Sequence, residues 1–230
     1  MATESFVPAL VVVDMQNDFV TGSLAVPDAT KTIEPINFLL TLDFKLKIGT
    51  QDWHPRNHVS FANNHSGKNQ FEKTTIFPPT KFLNSSIHNA KDMALEQVLW
   101  PDHCVADTRG AQFVPDLDVK RLQNIITKGK EEGLECYSAF CDVWGLTRTE
   151  LATVLQNNGV TDVFLVGVAG DYCVKFTAID AVKHGFKAWV VKDAVRSVSQ
   201  DGSEWHEMQT EGVMFIEKSE EVAQILKHRI

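Results

Sequence analysis

Three short apolar runs in this chain each end on a reactive side chain, and they constrain its fold more than any other feature. ALVVVD delivers Asp14, NIITKG delivers Lys128, and DVFLVGVAGDYC delivers Cys173. β-Branched runs of four to eight residues bounded by turn residues read as strands buried on both faces, the signature of a parallel sheet. Between them lie longer segments with helical spacing. Strands alternating with helices require crossover connections and build a doubly wound α/β sheet. Ligands of such sheets sit beyond the carboxyl ends of the strands, so a carboxylate, an amine and a thiol distant in sequence are expected in one crevice.

The pattern predicts strands at 9–15, 45–52, 121–128, 162–168, 187–193 and 213–216. It predicts helices at 30–42, 146–158, 172–184 and 203–211, with Ser219 capping a last one. The fold class expected is therefore α/β, with one central, mostly parallel six-stranded sheet flanked by helices. The whole chain, 1–230, is expected to form one domain. It would carry an irregular insertion at about 53–120, where periodicity fades into Asn, His, Pro and Ser. So long a weakly periodic stretch inside a compact domain is usually functional.

Bulk properties narrow the partners. The chain has 230 residues, 43% of them hydrophobic and 23% charged, which is enough for a full globular core. A net charge of −8 argues against nucleic acid and anionic membranes. No run approaches the ~20 apolar residues that span a bilayer, and the amino terminus lacks a signal-peptide pattern. Four cysteines are few for this length and suit a reducing, intracellular and cytoplasmic setting. A homo-oligomer is left open.

Cys173 follows the strand at 162–168 by a short turn and is expected to open the next helix. Free N–H groups there would favour a thiolate and could hold a developing oxyanion, with Ala169 and Cys173 as donors. A buried structural cysteine is the ordinary alternative and is preferred for Cys104, Cys136 and Cys141. Lys128 near a thiolate would hold it charged, and Asp14 could take and return the sulfur's proton. Singly, each could be an ordinary turn or surface residue; three at equivalent strand ends are a stronger signal. In QDWH, Asp52 and His54 project to one side of an extended segment. With His103 from WPDHC they would suit one divalent ion, zinc first among the candidates, although three solvated loop residues would satisfy the same spacing. His58 is a further ligand candidate. His65, His88, His184, His206 and His228 have no evident partner and are expected at the surface. Phe19, Trp100 and Tyr137 could line a flat pocket or pack in the core.

Taken in order, VVVDMQNDF, GTQDWHPRNH, WPDHCV, ITKG and VGVAGDYCV resemble the nicotinamidases of the isochorismatase-like hydrolase family, from residue 9 to about 193. The resemblance implies nicotinamide as substrate, a thioester on Cys173 and release of ammonia and nicotinate, a step of NAD salvage. Asp14 would transfer the proton and Lys128 support the thiolate. Asp52, His54 and His103 would hold the metal, and Phe19, Trp100 and Tyr137 the ring. It also implies a cis peptide at Val168–Ala169. Gly170 stands where a larger residue is expected, which predicts an altered pocket wall, and the stretch 63–98 is longer than in compact bacterial members. Rival readings are another amidase of this architecture, a vinyl-ether hydrolase, which would not need Cys173, and a non-catalytic binding module.

Overall fold

The computed structural model describes residues 5–83 and 89–229; His88 lies outside them. In chain order the elements are β1 (Pro8–Val13), α1 (Asn17–Val20), α2 (Ile33–Thr41), β2 (Leu46–Asp52), β3 (Lys73–Ile76), β4 (Leu95–Val98), β5 (Asn124–Lys128), α3 (Leu151–Asn157), β6 (Asp162–Val168), α4 (Lys175–Lys183), β7 (Lys187–Arg196), α5 (Ser203–Thr210), β8 (Met214–Ile216) and α6 (Ser219–Arg229). Six strands form one sheet in the order β5-β2-β1-β6-β7-β8, and every pairing in it is parallel. The expected α/β class and six-stranded sheet are what the chain adopts.

Burial explains the continuous apolar runs. Every residue of β1 and β6 is buried, so neither face of these central strands needs polar residues. Leu10 and Val12 point into a core shared with Ile36, Leu39 and Leu40 of α2 and with Val222 and Leu226 of α6. Ala9, Val11 and Val13 point the other way, toward Leu151 and Leu155 of α3, Ala178 and Ala181 of α4 and Met208 of α5. The sheet is thus covered on both faces. Strands are added on one side of β1 up to β5 and on its other side from β6 onward, which places the switch point, and hence the ligand crevice, between Asp14 and the turn after β6.

Several boundaries differ from expectation, each for a local reason. The helix expected at 146–158 begins only at Leu151, because Thr147 donates its N–H and hydroxyl to the Asp142 carboxylate and holds a turn there. The strand expected from 121 starts at Asn124, after a 3-10 turn at Val119–Arg121. The strand expected to end at 193 continues to Arg196, past a register shift opposite Leu165 and Gly167. The segment 53–120 is not uniformly irregular: β3 and β4 pair antiparallel within it. Ser219 does not cap its own helix; Asp193 accepts from its N–H and hydroxyl instead.

Gly167 of β6 pairs with Val13 of β1. Its φ is +111°, and a Cβ there would lie 2.1 Å from the Val13 carbonyl oxygen. Gly167→Ala must both adopt a backbone region foreign to alanine and displace the central strand. We expect a loss of about 3 kcal/mol or more, read as a lower urea midpoint. An unchanged midpoint would contradict this packing.

Candidate active site

Asp14 leaves β1 with φ +48°, Asp52 closes β2, Lys128 closes β5, and Cys173 follows β6. All four are buried, and parallel register brings them together. The Lys128 ammonium lies 3.0 Å from Asp14 Oδ2 and 3.4 Å from Cys173 Sγ, bonds directly to Asp52 Oδ1, and donates to the Cys136 carbonyl at 3.0 Å. Ligand-type atoms of Asp14, Asp52 and Cys173 lie within 4.8 Å of one another. A buried ammonium is tolerable because two carboxylates face it. Burial lowers the Lys128 pKa, but Asp14 and then Asp52 outweigh it and hold the amine protonated.

The two acids differ in environment. For Asp52, burial is overcome by Lys128 and His54, and the carboxyl is held well below the ordinary carboxylate range. For Asp14, burial dominates over Lys128, and the pKa rises. Thr50 donates to Asp14 Oδ1 at 2.6 Å, whereas buried Oδ2 has no well-aligned hydrogen bond. Asp14 is therefore the acid suited to hold a proton, and Asp52 the one that stays ionised.

Cys173 corrects one expectation. It lies within a π-helical turn, Gly170–Val174, ahead of α4. Burial pushes its thiol well above the ordinary value despite Lys128. A group able to take the sulfur's proton therefore matters beside Lys128, and the Asp14 carboxylate is within reach. The Val168–Ala169 peptide is cis, as the resemblance implied. Gly170 corrects another expectation. A Cβ there would meet Ser197 Oγ at 2.3 Å and Val195 Cγ1 at 2.9 Å, so this residue packs under the turn rather than forming the pocket wall.

Asp52, His54 and His103 offer ligand atoms within 4.8 Å of one another, all buried. His54 Nδ1 donates to the Gly129 carbonyl at 2.9 Å, and His103 Nδ1 donates to that of Pro101 at 2.8 Å. Each bond leaves Nε2 with its lone pair, the arrangement that histidine ligands use. His54 Nε2 stands 3.4 Å from Asp52 Oδ2. Burial lowers the His54 pKa and Asp52 more than restores it, so a cation bound here would compete with a proton for this nitrogen. Burial and His54 lower His103 to about 3, so its imidazole is neutral. The donor set fits a divalent ion. His58 stacks on the His54 ring at 4.0 Å and forms a second possible ligand group with His54 and Glu135, but its own nitrogens are engaged: Nε2 donates to the Leu134 carbonyl at 3.1 Å, and Nδ1 accepts from Ser60 at 2.8 Å. The remaining histidines are less uniform than expected. His206 and His228 are exposed, but half-buried His65 bonds the Val59 carbonyl at 2.7 Å and half-buried His184 stacks on Phe140.

One small pocket borders Asp52, His103 and Cys173. Phe19, Trp100, Tyr137, Ala169 and Cys173 line it together with Asp52 and His103. Glu135, Tyr172 and Val198 also line it and were not anticipated from sequence. Tyr172 packs edge-on against Trp100 at 4.9 Å and adjoins the Tyr137 ring at 5.2 Å; its place directly before Cys173 was the available signal. Glu135 bonds the Cys136 N–H and Gln97, and nothing in an isolated acid announces such burial.

The fold and this crevice define a hydrolase of the doubly wound α/β class. The chain belongs to the isochorismatase family: the Isochorismatase domain profile matches residues 8–217. It is 42% identical over 213 residues to the nicotinamidase of Acinetobacter baylyi, covering 90% of this chain and 91% of that protein. The solved yeast nicotinamidase bound to the inhibitor nicotinaldehyde is similar with a TM-score of 0.84 at 35% identity, over 92% of this chain and 100% of that one. The pyrazinamidase of Pyrococcus horikoshii in complex with zinc gives 0.69 at 35% identity, over 91% and 98%.

Proposed function

We propose that this protein hydrolyses nicotinamide to nicotinate and ammonia, a step of NAD salvage, through a thioester on Cys173. The observation that carries this reading is a single aromatic-lined cavity holding the thiol and the Asp52/His103 pair together. A pyridine carboxamide presents a flat ring, a ring nitrogen and an amide carbon at once. Phe19, Trp100 and Tyr137 hold the ring.

Asp14 takes the proton from Cys173 Sγ, and the sulfur attacks the amide carbon. The N–H groups of Ala169 and Cys173 receive the developing oxyanion. Asp14 then returns its proton to the nitrogen as the C–N bond breaks, and ammonia departs. A water, deprotonated by Asp14, attacks the thioester, the C–S bond breaks, and nicotinate leaves with the thiol restored. Lys128 stays charged throughout and keeps Asp14 low enough to release its proton again. Asp52, His54 and His103 would hold a divalent ion, zinc by their chemistry, which when bound supplies a Lewis acid for the ring nitrogen and for water. The domain spans 1–230, with 53–120 supplying His54 and His103. The four free cysteines match a cytoplasmic setting, and no helix among the described residues is long and apolar enough to cross a membrane.

Ammonia release from nicotinamide tests the activity. Benzamide keeps the amide but lacks the ring nitrogen, and its kcat/KM should be lower on the order of 10²-fold or more. A chelator should suppress nicotinamide turnover and added zinc restore it. Equal turnover of both amides would overturn ring-nitrogen anchoring, and full activity without metal would overturn the metal site.

A further inference from the structure

The segment after Asp14 contains Gln16, a fully buried amide with no part in the chemistry above. Its side chain reaches across to β2 and holds both backbone groups of Asp52. Oε1 accepts from Asp52 N–H at 2.9 Å, and Nε2 donates to the Asp52 carbonyl at 2.8 Å. The second Nε2 proton goes to the Ala111 carbonyl at 2.8 Å. Gln16 thus occupies the place of a neighbouring strand exactly one residue long, at the point where β1 has already ended. Asp18, two residues on, accepts from the N–H of Cys104 at 2.8 Å. The Cys104 carbonyl in turn accepts from His54 N–H at 3.0 Å. Cys104 directly follows His103 and has φ +45°.

We propose that Gln16 is a positioning residue for the cation site. It fixes the Asp52 backbone relative to β1 and to the segment at 111, while Asp18 fixes the backbone between His103 and His54. The ligands come from two segments about fifty residues apart in sequence, and the turn after Asp14 ties both to the strand that carries the proton-transferring acid. Substitutions of residues that orient metal ligands typically cost 10–100-fold in affinity. The inference rests on the reading that Asp52, His54 and His103 bind a divalent ion.

The test is the zinc dissociation constant of the purified protein, measured by competition with a chelator, beside the melting temperature of the metal-free form. Gln16→Leu removes all three bonds and should weaken zinc on the order of 10–100-fold. Gln16→Glu keeps the size and the acceptor for Asp52 N–H but loses both donors; it should also weaken zinc, and serves if the leucine variant does not fold. Gln51→Leu is the control. Gln51 donates to the same Ala111 carbonyl at 2.8 Å but makes no side-chain bond to Asp52, so it should lower the melting temperature while leaving zinc affinity within about threefold of the parent. Zinc binding by Gln16→Glu as tight as the parent's, or equal weakening in the Gln51 variant, would overturn the proposal. Failure of the parent itself to bind zinc would overturn the underlying metal reading instead.

Discussion

Cys173→Ala is expected to lower kcat by about 10⁴-fold or more while leaving the fold intact, since single-nucleophile deletions elsewhere have effects of that order. The small residue fits a turn already bounded by buried Val174 and Ala169. No other cysteine can take over. Cys104 and Cys136 are buried, and burial pushes both thiols well above their ordinary value; half-buried Cys141 is pushed up to about 11, and none of the three lines the cavity. Steady-state ammonia release checks the rate, and intact mass during turnover should show an acyl adduct on the parent protein and none on the variant. Retention of a tenth of the activity would rule out covalent catalysis at this position.

Lys128→Met should damage both stability and chemistry. The ammonium is the cation facing Asp14 and Asp52 at hydrogen-bonding or ion-pair distance, and removing one partner of a buried ionic group typically costs about 3–5 kcal/mol. The direction for Asp14 follows from its two opposing influences. Burial raises its pKa and Lys128 lowers it, so without the lysine the pKa rises further and the carboxyl keeps its proton at neutral pH. The base that the thiol needs is then absent, and kcat should fall on the order of 10²–10⁴-fold. The acid limb of the pH–rate profile should move to higher pH, because ionised Asp14 appears only there. Urea denaturation and a kcat–pH profile measure the two effects separately. A normal kcat with only a raised KM would show that Lys128 merely helps to bind substrate.

Much of this was written locally in the chain. VVVD and VFLVGV announce parallel strands because strands covered on both faces need unbroken apolar runs, and each of these runs, like ITKG at the sheet edge, ends at or within a short turn of its reactive residue. Asp14, Lys128 and Cys173 could be named for that reason, and QDWH and WPDHC for their donor types. The cores on the two faces of β1 follow from the same run, since alternate residues of an all-apolar strand must both find cover.

Other features arise only when distant segments meet. The thiol's environment depends on burial and on Lys128, Asp14 and Asp52, which reach it from other strands. Glu135 and Gln16 look like ordinary polar residues in sequence; the first lines the cavity and the second spans Asp52 only because β1, β2 and the segment at 111 converge. The same holds for Gly170, whose missing side chain answers to Ser197 across the fold rather than to the substrate. Strand periodicity and reactive residue types are properties of neighbouring positions, so the sequence by itself determined the sheet and the reacting groups. Ionisation states, orientation and the closure of the pocket are sums over groups far apart in the chain, and only the tertiary structure decided them.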